Sequence, residues 1–505
     1  MGHIAFQAKG RAVELDSDYV VVGSGAGGAS AAIALARAGA KVTLVEAGPW
    51  RDPSDYPHSG YGTLRDMFER WGTSFTRGRA YWPVLQGAAV GGSTVMNSAI
   101  CVRTPADVFD AWQSSAGIDG RSLAQAVWAA QDELEAELSA TPVPVAARGR
   151  LNLLAARGAD ALGYENHFMT RYVRDCQGSG SCLQGCHDDR KQSLNRNFVP
   201  ELLTRDGDVL SCAPVQRVRI VRGRAHSVVG RFKHPQTRQP GAAFEVRARR
   251  GVFVAASVTG SPALLMRSGV RHRMLGAGFR THPGAPILGC YDEPVDMNRA
   301  ATQGWSSLAY RESLGLKFET LGMPLDLVAG RLQGSGHELM ERLREFRHLA
   351  MWAVACRAES VGHVSVDWSG RPVVHYTCGE ADMRRMREGM YVLAQTHIAA
   401  GARAVLPAIE GFPYKLEPNE IELIRSAPID PRAYVAILSH LFGGCVMGRD
   451  PARSVCDERG RVHGHENLYV VDASALPGNL GVNPQHTIMA LARHWAKQAV
   501  ETGKC

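Results

Sequence analysis

Residues 18–48, DYVVVGSGAGGASAAIALARAGAKVTLVEAG, hold every part of a dinucleotide-binding βαβ unit in the right order. The apolar run 19–22 predicts a buried strand, and Gly23, Gly25 and Gly28 follow it in G-x-G-x-x-G spacing. Lacking Cβ atoms, these residues let the turn be tight, let backbone approach a pyrophosphate, and let the next helix pack closely with its N-terminus facing the anion. The pattern predicts that helix over 29–38 and a second strand over 41–45, which delivers Glu46 where a ribose hydroxyl needs an acceptor. A bare G-x-G-x-x-G is a weak signal, but strand, glycines, helix, strand and acid together are a specific one.

Working outward, the chain of 505 residues is longer than one core organises, so two interleaved domains are expected. No apolar run reaches ~20 residues. Residues 1–18 lack the basic, apolar and small-residue sections of a signal peptide. The expectation is a cytoplasmic protein with no transmembrane segment, periplasmic export alongside a signal-bearing partner being left open. The net charge is +8, and an Arg-rich stretch, 217–250, reads as strands (VQRVRIV, SVVGRF, FEVRARRGVFV). Arginines alternating with apolar residues describe the wet face of a sheet, so no nucleic-acid binding is expected.

A glycine-dense loop, GAAVGGSTVMN at 87–97, follows the βαβ unit, and its Gly91 and Gly92 again allow backbone to lie against a flat or anionic ligand. Helical periodicity covers 123–137, 151–162, 338–346 and 382–400, and a last helix starts at 488. A cysteine-rich loop spans 176–186, and a Gly-Ser-Pro turn is expected at 260–262. No repeat or linker separates these pieces, which predicts that the chain crosses between domains more than once.

Four blocks make the chain recognisable: GSGAGG with Glu46; GAAVGGSTVMN; VAASVTGSPALLMRSGV at 254–270; and HLFGGCVMG with NLYVVDASALPGNLGVNPQHT. Together they resemble the glucose–methanol–choline (GMC) oxidoreductases, flavoenzymes that oxidise alcohols. The resemblance implies an α/β fold in which a Rossmann-like FAD-binding domain (15–105, 205–285 and 430–505) is interleaved with an α+β substrate domain on an antiparallel sheet (106–204 and 286–429). It implies cofactor contacts from Gly23, Gly25, Gly28, Glu46, Gly87, Gly91, Gly92, Ser93, Asn97, Val215 and Asp472. Met96 stands where some members carry a histidine bonded to the flavin, so non-covalent FAD is expected. Ser257 stands where the family commonly has glycine, and is expected to be tolerated.

The resemblance places the chemistry on His440 and Asn483. Hydride leaves an alcohol carbon more easily as the hydroxyl loses its proton, which calls for a base such as imidazole. An amide donates to the substrate oxygen without competing for that proton. His282 and His486 are given no role.

Cys176, Cys182 and Cys186 are spaced C-x5-C-x3-C. Three thiolates without a fourth ligand suit a [3Fe-4S] cluster better than structural zinc. The spacing is similar to that of FAD-dependent sugar dehydrogenases of the family, which implies an acceptor partner: a cytochrome subunit, a small chaperone-like subunit or a quinone. The pattern Gly185, Cys186, Lys191, Gln192 is also similar to long-chain alcohol oxidases, as a loop without metal. Both readings stand.

Residues 362–410 resemble the substrate domain of long-chain alcohol oxidases and the C-terminal block resembles sterol oxidases, so the substrate is expected to be an apolar alcohol, with a sugar as the alternative. Trp305, Phe318, Met323, Met351 and Trp352 are weighed as pocket lining against plain core. Besides a dehydrogenase or oxidase, a GMC-type lyase with structural FAD and an electron-transfer subunit remain as functions of other classes.

Overall fold

Strand Val13–Val22 lies within an eight-stranded sheet, parallel to Val42–Val45 on one side and to Pro240–Val254 on the other. The computed structural model describes residues 2–502, so 503–505 of the expected segment 430–505 lie outside it. Asp208–Leu210 and His3–Ile4 extend the parallel run, and Leu468–Val470 pairs with the C-terminal end of Pro240–Val254. The Arg-rich strands Arg224–Lys233 and Val215–Val221 finish the sheet antiparallel. Val20, Val21, Val42, Leu44, Val252 and Val254 are fully buried, as continuous apolar runs are in a parallel sheet covered on both faces.

Helix Ala26–Arg37 begins earlier than the apolar pattern indicated, because the glycine turn itself forms its first turn with Gly25 as N-cap. Gly27 and Gly28 permit its close packing: a Cβ there would collide with the Val471 and Gly23 carbonyls. The helix packs against the C-terminal helix Gln485–Thr502. The expected turn at 260–262 is instead part of helix Ser257–Arg267, with Pro262 inside it. Proline removes one backbone donor, and side chains secure the helix start: Ser261 Oγ accepts from the Ala256 N–H at 2.9 Å and donates to Asp472.

The second sheet has ten strands, built around Ala277–Cys290. One end of this long strand pairs antiparallel with Gly362–Val366 and Ile437–Phe442, and the other with Leu349–Cys356 and Ala404–Leu406. Leu316–Thr320 follows Leu349–Cys356, and Trp305–Ser307 comes next. Segments 15–105 and 430–505 each also give this sheet a strand, Thr76–Arg77 and Ile437–Phe442, so the chain passes repeatedly between the two sheets.

Candidate active site

Two glycine-rich loops far apart in sequence interlock at the end of the parallel sheet. Gly92, at φ +55°, packs so closely on Gly25 that a Cβ would meet its Cα. Ser24 Oγ donates to Glu46 Oε2 at 2.6 Å and accepts from the Gly91 N–H at 2.9 Å. Glu46 also accepts from the Ser24 and Gly48 N–H groups, at 2.9 and 2.8 Å. Burial raises the Glu46 pKa, and these bonds oppose the rise. Gly23, Gly25, Glu46, Gly87, Gly92, Ser93, Asn97, Val215 and Asp472 line one cavity of about 2100 Å³. Gly28 and Gly91 do not line it; they are packing positions behind its wall. The helix at Ala26 opens beside the cavity without a side-chain cap, leaving its first-turn amides for an anion. Uncapped amides, a buried acid and walls without Cβ atoms fit the FAD that the resemblance implies.

His440 and Asn483 line the same cavity, with Asn483 Nδ2 3.4 Å from His440 Nε2. Strand register supplies a second histidine: His282 pairs directly with His440, and their Nδ1 atoms stand 3.4 Å apart. The Gly481 N–H donates to His282 Nε2 at 3.0 Å. His282, given no role from sequence, is therefore part of the site, whereas His486 lies away from the cavity between Tyr172 and Glu135.

A buried ion pair completes this end. Lys317 and Glu319, 3% and 5% exposed, share one face of strand Leu316–Thr320 opposite Ala355 and Ala353, whose small side chains leave room for them. The Lys317 ammonium donates to Glu319 and to Asn483 Oδ1, while Gln303 Nε2 donates to the other Glu319 oxygen at 2.7 Å. His440 is driven down to about 4: burial is the largest cause, the Glu319 carboxylate opposes it, and Lys317 adds to it. His282 falls well below the ordinary range through burial, then the charges of His440, Lys317, Arg357 and Arg311. Burial alone would raise Glu319, yet Lys317 beside it brings the carboxyl below its usual value.

The cysteine loop is stitched to the back of the second glycine loop. Buried Lys191 donates to the carbonyls of Val95, Asn97 and Cys182, the last two at 2.9 and 2.8 Å. Arg171 Nε donates to the Ser98 carbonyl at 2.7 Å and Nη2 to Cys182 Sγ at 3.0 Å, while Nη1 is buried with no partner among the described residues. Burial raises the Cys182 thiol, but Arg171 and Lys191 outweigh it and bring it down to about 7. Cys176, Cys182 and Cys186 border a separate cavity of about 10 Å³, the size of a single water at most. The donors and countercharges suit an anionic sulfur cluster, but the closed loop leaves no room for [3Fe-4S].

Of the aromatic and Met candidates, only Met323 lines the large cavity; Trp305, Phe318, Met351 and Trp352 are core. Apolar lining comes instead from Leu64, Phe68, Phe75, Leu321 and Leu327. The Arg-rich strands are more than a wet face, since Arg217, Arg219 and Arg231 also reach the cavity.

Models of the GMC oxidoreductase family match residues 17–284 and 358–492. An uncharacterised GMC-type oxidoreductase of Sinorhizobium fredii is 32% identical over 97% of this chain and 95% of its own length. A long-chain-alcohol oxidase of Arabidopsis thaliana, FAO1, is 26% identical over 95% of this chain and 66% of its own. Among solved structures, pyridoxine 4-oxidase from Mesorbium loti superposes with a TM-score of 0.73 at 18% identity, covering 95% of this chain and 98% of that one, and so shares the fold. The chain belongs to the GMC oxidoreductase family and is an enzyme of the oxidoreductase class.

Proposed function

We propose that the enzyme oxidises the CH–OH group of an apolar alcohol, long-chain or sterol-like, to an aldehyde or ketone, with FAD held non-covalently. One observation carries this reading: a single cavity runs from Gly23, Gly25 and Glu46 to His440 and Asn483, so a dinucleotide at the glycines and an alcohol at the histidine share one space. Its leucine, phenylalanine and methionine lining favours an apolar substrate, as does similarity to long-chain-alcohol oxidases. Methionine at 96 offers no imidazole for a covalent flavin bond.

Bound in this cavity, FAD supplies the two-electron acceptor for the hydride leaving the carbinol carbon. His440, neutral near pH 7 because its pKa is about 4, takes the hydroxyl proton at Nε2 as the hydride departs. The Glu319 carboxylate favours the imidazolium that results. Asn483 Nδ2 donates to the substrate oxygen and fixes its direction. Glu319 and Asn483 are buried and His440 is partly so, which limits the water that can compete for these bonds.

The second reading, a sugar dehydrogenase relaying electrons through a cluster to a cytochrome or quinone, rests on the buried cations and the lowered thiol at Cys182. Because the closed loop lacks room for the cluster, no step is drawn through it. The test is anaerobic mixing of the FAD-loaded enzyme with fatty, sterol and sugar alcohols, read by flavin absorbance. Bleaching by fatty or sterol alcohols is expected. Bleaching by sugars alone favours the second reading, substrate cleavage without bleaching a lyase, and silence toward every alcohol an electron-transfer subunit. Acid denaturation should release FAD into the supernatant; flavin retained on the precipitate overturns the non-covalent claim.

A further inference from the structure

The Lys317–Glu319 pair is unlike any other ion pair described in this protein. Both are almost wholly buried, at 3% and 6% exposure of the side chain alone, whereas the other pairs keep at least one partner in contact with solvent. A buried pair of this kind stabilises a fold weakly at best, since desolvation offsets the attraction, and apolar replacements of similar volume are often neutral. Its location asks for another explanation, because the ammonium also holds the side chain of Asn483.

An ammonium has three donors and no acceptor, so the amide atom facing Lys317 must be the carbonyl oxygen. Asn483 is thereby fixed in one of its two amide orientations, and its NH₂ group faces His440 Nε2. A neutral imidazole carries one proton; an N–H directed at Nε2 requires a lone pair there, which places the ring proton on Nδ1. On the far side, the Gly481 N–H donates to His282 Nε2, which puts the His282 proton on Nδ1 as well. An N–H on each of the two Nδ1 atoms, 3.4 Å apart, is an unfavourable contact, so His282 alone would favour the other His440 tautomer and the Asn483 amide has to hold this one against it.

We propose that Lys317, neutralised by Glu319, is a positioning residue of the oxidation site: by holding the Asn483 carbonyl it turns the amide N–H to the cavity and keeps His440 Nε2 the proton-accepting nitrogen. This rests on His440 being the base of the proposed reaction. The pair does no chemistry of its own. It selects one amide orientation and, through it, one tautomer, so that the site is ready before substrate arrives. With the amide reversed, its oxygen would call for an N–H at Nε2, and His440 would present a proton where it must take one.

The experiment compares three FAD-loaded variants under anaerobic mixing with an alcohol that bleaches the wild type. Lys317→Met/Glu319→Gln removes both charges together, so no unpaired ion remains to unfold the protein. Flavin reduction should slow roughly 10–100-fold, the usual cost of losing a partner that orients a reacting group, with substrate affinity changed less than about threefold. Lys317→Arg, which keeps a donor-only group at the carbonyl, should recover most of the rate. His440→Ala supplies the control for the underlying reading. If His440→Ala reduces flavin slowly while the double variant matches wild type, the positioning role is overturned and the base stands. If His440→Ala is as fast as wild type, the base reading itself fails. Equal losses in rate and affinity, without recovery by Lys317→Arg, would make the pair structural and also overturn the proposal.

Discussion

Two clusters hold buried cations, and they differ in what those cations face. At one, Lys317 is matched by Glu319 and touches Asn483 at the wall of a cavity of about 2100 Å³. At the other, Arg171 and Lys191 hold backbone carbonyls and the Cys182 sulfur around a space of about 10 Å³. The first is balanced and open, so its charges act on whatever enters. In the second, Arg171 and Lys191 donate to backbone carbonyls and the Cys182 sulfur, and the space is too small for a ligand, so its cations act on the loops themselves. Asn97 is shared: its carbonyl accepts from Lys191, while its side chain bonds Gln485, two residues from Asn483. Burial of charge alone therefore does not mark the reacting end; a buried charge that opens onto ligand-sized space does.

The largest expected effect tests the open cluster. His440→Ala should retain FAD yet slow alcohol-driven flavin reduction by ~10²–10⁴, the usual contribution of a positioned general base. Asn483→Ala should lose less, because it orients without taking the proton. Stopped-flow absorbance checks both, and wild-type reduction by His440→Ala would remove the distinction between the clusters.

The closed cluster should respond in stability. Lys191→Met leaves the carbonyls of Val95, Asn97 and Cys182 without their donor, at a cost of roughly 3–5 kcal/mol. Chemical unfolding should show that loss, and iron analysis of anaerobically purified wild type should find no stoichiometric iron. About three irons per chain, with a paramagnetic signal abolished in Cys182→Ser, would mean that the loop opens around a cluster and that the second functional reading is right.

The same contrast explains what the sequence made legible. The parallel strands, the glycine turns and the long helices were readable because each is a local pattern: Ala26–Arg37, Gly120–Glu137 and Glu380–Ala399 all overlap the predicted spans. His440 and Asn483 were readable through their blocks. His282 was not, because only the register between Ala277–Cys290 and Ile437–Phe442 sets it beside His440. Lys317 and Glu319 sit two apart in LKFET, a spacing that normally marks a wet strand face, and only the second sheet's packing buries that face. An acid and a base alternating with apolar residues in a short strand was the one signal that pointed to them. The Gly-Ser-Pro stretch misled for a local reason: turn chemistry at 260–262 was overridden by Ser261 and Asp472 holding a helix start.

A pH profile tests the open cluster further. A base works only when unprotonated, and His440 has its pKa near 4, so reduction should be flat around neutrality and fall about tenfold per unit as pH drops below ~4. A break near 6.5 would instead mean that the base titrates as an ordinary imidazole and that burial does not lower His440 in the working enzyme.

The smallest effect concerns backbone strain rather than charge, at Ser257 on the cavity wall. Its φ of +82° lies in the left-handed region, where a side chain costs about 1–2 kcal/mol and glycine nothing, a physical reason for the family's glycine. Serine offsets the strain through Oγ, which donates to Gln86 and accepts from the Gly260 N–H at 3.2 Å. Its own N–H donates to Asp472 at 2.9 Å and would do so in any variant. Ser257→Ala keeps the strain and loses the hydroxyl bonds, so it should cost about 1–2 kcal/mol. Ser257→Gly loses the same bonds but relieves the strain, against about 0.5–1 kcal/mol of added freedom in the unfolded chain, and should stay within about 1 kcal/mol of wild type. Neither change touches either charged cluster, so flavin reduction should be unaffected while unfolding midpoints rank wild type and glycine above alanine. Alanine as stable as glycine would show that the strain at this turn is absent, and that the hydroxyl bonds to Gln86 and Gly260 account for whatever serine contributes.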